Sequence, residues 1–153
     1  MRLLLQRVIR ASVLVEGEAV GVIGAGLVAL VGVGADDTPA VAVALARRTV
    51  DLRIFRDAAG KTNLSLLEVG GEVLAVSQFT LFADTSRGRR PSFIRAAPPA
   101  QGQRLYETYA DAVAAHGVRV ARGVFGAEMV VDLRNDGPMT IWLDSESGGS
   151  SGP

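Results

Sequence analysis

From Met1 to Gly34 the chain is built of short apolar runs, LLLQRVI, ASVLVEG, EAVGVIG and LVALVGVG, separated by glycine-containing breaks. Leucine-rich and β-branched runs of this length read as strands, and a meander of short strands is expected. The texture changes at Asp36-Asp37-Thr38-Pro39, where a capping residue precedes a proline suited to the first helical position. The following AVAVALARRTVDL sets Val41, Leu45, Arg48 and Leu52 at helical spacing and predicts the first helix. After RIFRD and the turn-rich AAGKTN, the stretch LSLLEVGGEVLAVSQFTLF gives two apolar arms joined at Gly70-Gly71, the pattern of a hairpin. Pro98-Pro99 opens a second predicted helix, with Leu105, Tyr109, Ala112 and Val113 on one face and Gly117 as its stop. Strand texture returns in VRVARG, EMVVDL and MTIWLD. Between the last two lies Asn135-Asp136-Gly137-Pro138-Met139-Thr140, which has the spelling of a tight turn. Its Gly-Pro pair is more constraint than closing a hairpin requires. Strand-rich ends with segregated helices predict one α+β domain over residues 1–145, with antiparallel strands predominating. Residues 146–153, ESGGSSGP, read as a disordered tail or an appended remnant.

Composition narrows the functional classes. The chain has 153 residues, enough for a core that needs no staples. Its 48% hydrophobic content and mean hydropathy of +0.28 are high, yet no apolar run approaches the ~20 residues that span a bilayer. A deep core, continued across a subunit interface, is the expectation. Lys plus Arg and Asp plus Glu balance at 16 each, so nucleic-acid binding has to be local. No cysteine is present, which removes disulfides, thiolate nucleophiles and cysteine-ligated metals. The N-terminal MRLLLQRVIRASV lacks the long apolar segment and small-residue cleavage site of a signal peptide, and cytoplasmic residence is expected.

Gly24-Ala25-Gly26-Leu27-Val28-Ala29 matches the loose dinucleotide pattern G-x-G-x-x-G/A, but that motif must open a helix. The residues that follow read as a strand, and a glycine hairpin is favoured. His116 is the only histidine. Beside Gly117 it suits a helix C-terminus, a structural role, and no metal-ligand spacing occurs among the carboxylates. Arg87-Gly88-Arg89-Arg90 is the densest positive charge and can engage phosphates; Arg53, Arg56 and Lys61 would extend it if the fold brings them together. Ser77-Gln78-Phe79-Thr80 places three hydrogen-bonding side chains at the end of an apolar strand. Period-2 alternation sends Gln78 and Thr80 to one face, and such a cluster must find partners or a substrate. No histidine or lysine stands near in sequence to activate a hydroxyl.

Together, VSQFTLFADTSRGRRPSF and NDGPMTIWLDS resemble the D-aminoacyl-tRNA deacylase family. The likeness runs from LLLQRV to WLDS through RIFRD, GKTNLS and RGVFGAEM. Two motifs more than fifty residues apart, in order and in a chain of matching length, make it specific. The resemblance implies antiparallel-rich sheets forming a barrel-like core with two main helices, in a homodimer. It implies hydrolysis of the ester joining a D-amino acid, or a mischarged glycine, to the tRNA 3′-adenosine, with no metal or organic cofactor. Gly137-Pro138 would carry a cis peptide, reach into the partner's site and reject L-side chains by fixed backbone. Ser77, Gln78 and Thr80 would form the catalytic wall with Phe79 beside them. Two mechanisms stand open there, nucleophilic attack by Thr80 or attack of water assisted by the ribose 2′-hydroxyl, and the lack of a base favours the second. Phe125 and Met129 would line the adenosine pocket, Arg7 would hold the Gly-Pro loop, and Lys61, Arg87, Arg89 and Arg90 would meet tRNA phosphates. Met139 departs from the family's frequent valine but keeps an apolar residue after the proline. Readings of other classes are a non-catalytic RNA-binding module working through the arginine loop and, behind it, a dinucleotide-binding protein.

Overall fold

The computed structural model describes residues 1–148. The chain runs through β1 (Arg2–Val15), β2 (Glu18–Ile23), β3 (Gly26–Gly32), α1 (Pro39–Asp51), β4 (Phe55–Arg56), β5 (Thr62–Leu64), α2 (Leu66–Val69) and β6 (Glu72–Ser77). A 3-10 turn (Phe79–Phe82), α3 (Pro99–Ala114), β7 (Val120–Arg122), β8 (Val130–Asp144) and a final 3-10 turn (Glu146–Gly148) follow. The last turn begins the segment expected as a tail, and its first amide is held by Asp144 Oδ1 at 2.9 Å. Residues 149–153 lie outside the described residues.

LLLQRVI and ASVLVEG, expected as two strands, are one 14-residue strand, because no turn-forming residue separates them. β1 pairs antiparallel with β8 along most of its length, from Arg2↔Asp144 to Leu14↔Val130. Its other edge carries β3 opposite Arg2–Val8 and β2 opposite Ala11–Val15. β2 and β3 therefore lie end to end on β1, and the Gly24–Ala25 corner between them is not the expected hairpin. The same holds for NDGPMT: EMVVDL and TIWLD do not pair with each other but continue one strand, both halves bonded to β1. On the far side, β3, β6 and β7 run parallel, an arrangement that the antiparallel expectation missed and that the crossovers through α1 and α3 permit. Arg119 donates to the Val22 carbonyl at 3.0 Å, drawing β2 toward β7, so the sheet curls into a nearly closed barrel.

Two register breaks fall together in the middle of β1. Between Gln6↔Thr140 and Val8↔Asn135, β8 sets the four residues Asp136–Met139 opposite Arg7 alone; between Val8↔Asn135 and Arg10↔Arg134, Ile9 is extra in β1. Each break inserts an odd number of residues, so side-chain alternation changes face in both strands. Before the break, Leu3, Leu5, Ile141 and Leu143 face the helices; after it, Val8, Ala11, Val13, Val131 and Leu133 fill the barrel interior.

Thr38 caps α1 with Pro39 in its first turn, as expected. The buried face is Ala42, Leu45, Ala46, Thr49 and Val50, however, and Arg48 points to solvent. The buried face of α3 keeps Leu105, Tyr109 and Val113 but adds Gly102, Tyr106 and Ala110, with Ala112 at its edge. The hairpin expected at Gly70-Gly71 is instead a one-turn helix running into β6. Ser65 and Glu68 form a reciprocal capping box, with bonds of 2.7 and 3.2 Å between side chains and backbone, and Gly70 closes it at φ +63°. The capping spelling S-x-x-E prevails over the apolar texture of a strand.

Tyr106 donates to the Ala75 carbonyl at 2.8 Å, and the Tyr109 hydroxyl lies 3.0 Å from Thr49 Oγ1. Burial pushes the Tyr106 phenol up to about 12 and that of Tyr109 higher still. These are the chain's two tyrosines. An unfolded tyrosine ionises near pH ~10, whereas the folded protein keeps both protons there. Their contribution to stability is complete below pH ~10 and is lost as pH rises through the folded values. Ultraviolet titration should show no tyrosinate in the native protein until pH approaches 12 or the chain unfolds, and Tyr106→Phe should flatten the loss of stability above pH ~10.

Candidate active site

At the C-terminal ends of the parallel strands β3 and β6 the surface opens into a slot of about 590 Å³. Val33, Val76, Phe79, Phe93, Phe125 and Met129 line it, with Gly102 of α3 against the Phe125 ring. Ser77 and Gln78 carry the only polar side chains in this lining. An apolar slot with few polar groups is the usual form of a small-molecule site. Phe79 and Phe93 meet edge to face at 5.1 Å, and Phe125 lies 6.3 Å from Tyr106. Gly123 lets Met129 in: a Cβ there would fall 2.7 Å from the methionine sulfur.

The alternation expected along Ser77-Gln78-Phe79-Thr80 fails because the strand ends at Ser77 and a 3-10 turn begins. The slot gathers Ser77, Gln78 and Phe79, while Thr80 is exposed beside it with its hydroxyl bonded to the Gln78 amide. That amide donates, so Thr80 receives a proton donor rather than a base. No side chain caps the turn, which leaves its first backbone N–H groups without a side-chain partner. Arg2 fixes the turn in place. Its guanidinium lies 4.4 Å above the Phe82 ring, donates to the Leu81 carbonyl at 3.0 Å and pairs with Asp144 at 3.1 Å.

Gly137 and Pro138 are absent from this lining and sit exposed at the tip of the bulge in β8. The peptide between them is cis. The base of the bulge is firmly held. Asn135 donates from its side-chain amide to the Arg7 carbonyl at 2.9 Å, the acceptor left opposite the inserted residues, and to the Met139 carbonyl at 3.1 Å. Arg7 is 3% exposed; it donates to the Asp136 carbonyl at 3.2 Å, pairs with the Asp136 carboxylate at 2.9 Å and bonds the Ile54 carbonyl. Arg56 reaches the same carboxylate from outside at 3.1 Å. Asn135 and Asp136 anchor the bulge, which the turn reading concealed, since Asx residues before glycine read as turn formers.

The arginine loop is closed by paired backbone bonds between Asp84 and Ser92, 2.8 and 3.0 Å, with Arg87, Arg89 and Arg90 exposed at its tip. Lys61 is exposed on the β4–β5 connection. Of the residues suggested to extend the patch, Arg53 is tied to the Asn63 carbonyl at 2.7 Å, and Arg56 to the Asp136 carboxylate at 3.1 Å. Gly24–Ala29 leads into β3, not into a helix, so the dinucleotide reading falls. Among the described residues no cluster of His, Asp or Glu is placed to hold a metal, and no helix is long and apolar enough to cross a membrane.

A family model described as D-Tyr-tRNA(Tyr) deacylase matches residues 4–144. The D-aminoacyl-tRNA deacylase of Deinococcus deserti is 58% identical over 144 residues, covering 94% of this chain and 99% of its own. That of Thermomicrobium roseum is 59% identical over 145 residues, covering 95% and 94%. A solved structure titled c-Myc DNA Unwinding Element Binding Protein superposes with a TM-score of 0.88 at 37% identity, covering 94% of this chain and 98% of its own. Another, a probable eukaryotic D-amino acid tRNA deacylase, superposes at 0.82 with 20% identity over 93% and 97% and shares the fold. The barrel with helices on one face and a slot at its strand ends is the fold of a deacylase family. The chain belongs to that of the D-Tyr-tRNA(Tyr) deacylases, and a non-catalytic module is not favoured.

The anchor of the bulge has an asymmetry that unfolding measurements resolve. Asp136→Ala leaves the buried Arg7 charge without its counter-ion and should cost about 3 kcal/mol. Arg56→Ala removes a pair whose arginine is half exposed and should cost less than ~1 kcal/mol. Urea midpoints of the two variants test this order.

Proposed function

We propose that the chain hydrolyses the ester between a D-amino acid, or a mischarged glycine, and the 3′-terminal adenosine of tRNA, releasing free tRNA and the amino acid. The observation that carries this reading is the slot whose lining has only Ser77 and Gln78 as polar side chains, in a member of this family. The adenine enters between Phe125 and Met129, with Phe79 against the reacting end. Water attacks the ester carbonyl with the neighbouring ribose 2′-hydroxyl assisting. The first N–H groups of the 3-10 turn, with Ser77 or Gln78, stabilise the oxyanion, and the bond to the 3′-oxygen then breaks. Thr80 is a poor nucleophile here because its one side-chain bond comes from an amide donor. The protein works as a proofreading esterase in the cytoplasm.

A homodimer completes the site. β8 pairs with β1 on one edge, and among the described residues its 15-residue outer edge pairs with no other strand, an unusual length to leave uncovered. Gly137 and Pro138 lie outside the lining of their own chain's slot and, in this reading, enter that of a second copy. Proline's fixed φ and the anchors from Arg7, Asn135 and Asp136 keep the tip from moving aside. Its carbonyls receive the substrate ammonium, an L-side chain collides with backbone, and a D-side chain or glycine passes. Arg87, Arg89, Arg90 and Lys61 meet tRNA phosphates.

Purified protein should release D-tyrosine from D-tyrosyl-tRNA at least a hundredfold faster than L-tyrosine from the L-isomer, a gap of about 2.7 kcal/mol in barrier; equal rates would sink the chirality argument. Thr80→Ala should keep turnover within about tenfold of the parent. A fall of several orders of magnitude with the fold intact would instead make Thr80 the nucleophile.

A further inference from the structure

Beside the Gly-Pro bulge lies a charge arrangement that the proposed catalysis does not use. Arg10 and Arg134 stand directly opposite each other in the β1–β8 ladder, one register position from Val8↔Asn135. Both are exposed. Cross-strand partners hold their Cβ atoms about 4.5–5.5 Å apart, and like charges in that position repel. Among the described residues neither guanidinium has an ion pair or a side-chain hydrogen bond. The carboxylate of Asp132 sits two pairs further on, opposite Ser12, and pairs with neither. The extra residue Ile9 explains how the pair arises. At a bulge two consecutive side chains oppose one partner, and here both Ile9, at 54% exposure, and Arg10 are turned outward. The sheet therefore displays two unneutralised guanidinium groups beside a small apolar surface, at the foot of the segment that carries Gly137 and Pro138.

Two adjacent guanidinium groups in a fixed spacing match a phosphodiester, which accepts several N–H bonds and cancels the repulsion. Pro138 lies four positions after Arg134, so the pair lies within roughly 14 Å of the bulge tip along an extended chain. We propose that Arg10 and Arg134 form a phosphate clamp for the tRNA whose 3′ end occupies the slot that the bulge enters. This rests on the deacylase reading above. It assigns the clamp to the subunit that supplies the bulge, so a single tRNA is gripped by both subunits.

The test measures binding of uncharged tRNA to Arg10→Gln, Arg134→Gln and the double variant across a salt series, beside their hydrolysis of D-aminoacyl-tRNA and of D-aminoacyl-adenosine, which lacks phosphates. The double variant should bind tRNA about tenfold more weakly at low salt, with its log–log salt slope reduced by about 1–2. It should raise KM for D-aminoacyl-tRNA while leaving kcat and the turnover of D-aminoacyl-adenosine unchanged, and Arg134→Lys should restore most of the slope. Thermal stability should hold or rise, since a like-charge contact is removed. An unchanged salt slope overturns the clamp, as does an equal loss on D-aminoacyl-adenosine or dissociation of the dimer. Failure of the parent protein to hydrolyse any D-aminoacyl ester strikes the deacylase reading instead, while the salt slope for uncharged tRNA still decides the clamp.

Discussion

The structure depends on one mismatch of register. β1 and β8 run antiparallel over nearly their full lengths, but they cannot stay in step past Arg7, where β8 takes five residues to cover two of β1. The surplus has to leave the sheet, and it leaves as Asp136–Met139. The odd count of inserted residues in both strands then turns their apolar positions from the helix side to the barrel interior. One long ribbon thereby serves two cores, Leu3 and Leu5 packing under α1 and α3, Val8 and Val13 inside the barrel. A ladder without the break would leave one of these sets facing water.

The break also explains why a charge is buried where it is. Arg7 follows Leu3 and Leu5 on the helix-facing side, at the point where the ladder bonds fail. Its side chain collects the Asp136 carboxylate, the Asp136 carbonyl and the Ile54 carbonyl, while its own carbonyl is satisfied by Asn135. Burial of a guanidinium is tolerated because its counter-ion comes from the segment that the mismatch expels, with a further acceptor in the Ile54 carbonyl. Local strand pairing, the buried ion pair and the posture of Gly137-Pro138 are thus one feature. The slot is set by separate means, at the ends of β3 and β6, with Arg2 tying the Phe79–Phe82 turn to Asp144. Slot and bulge occupy different parts of one chain, which is why the proposed reaction calls for two copies.

Much was legible because it is local. The Thr38-Pro39 start and the Pro98-Pro99 start are written in capping and proline chemistry, whose partners lie within a turn. The grouping of Ser77, Gln78 and Phe79 with Phe125 and Met129 followed from the motifs of a family rather than from spacing, and the slot does bring those five together. Two local readings failed. LSLLEVGG has strand texture yet forms a capped turn, and SQFT leaves its strand after the serine. Arg56, read as an extension of the arginine loop if the fold brings them together, also pairs with Asp136, eighty residues away, a partner that spacing could not show.

NDGPMT marks the division most clearly. Its sequence alone fixed that the chain must turn sharply and stiffly there, because glycine and proline restrict the backbone whatever surrounds them. It could not say whether the flanking runs pair with each other or with a third strand, since both arrangements bury the same alternating side chains. That choice belongs to β1, which is long enough to take both runs as its own partner. Sequence therefore determined the rigidity of this segment, and tertiary structure made it a projecting tip rather than a hairpin turn, because only the assembled ladder reveals which residues have no place in it.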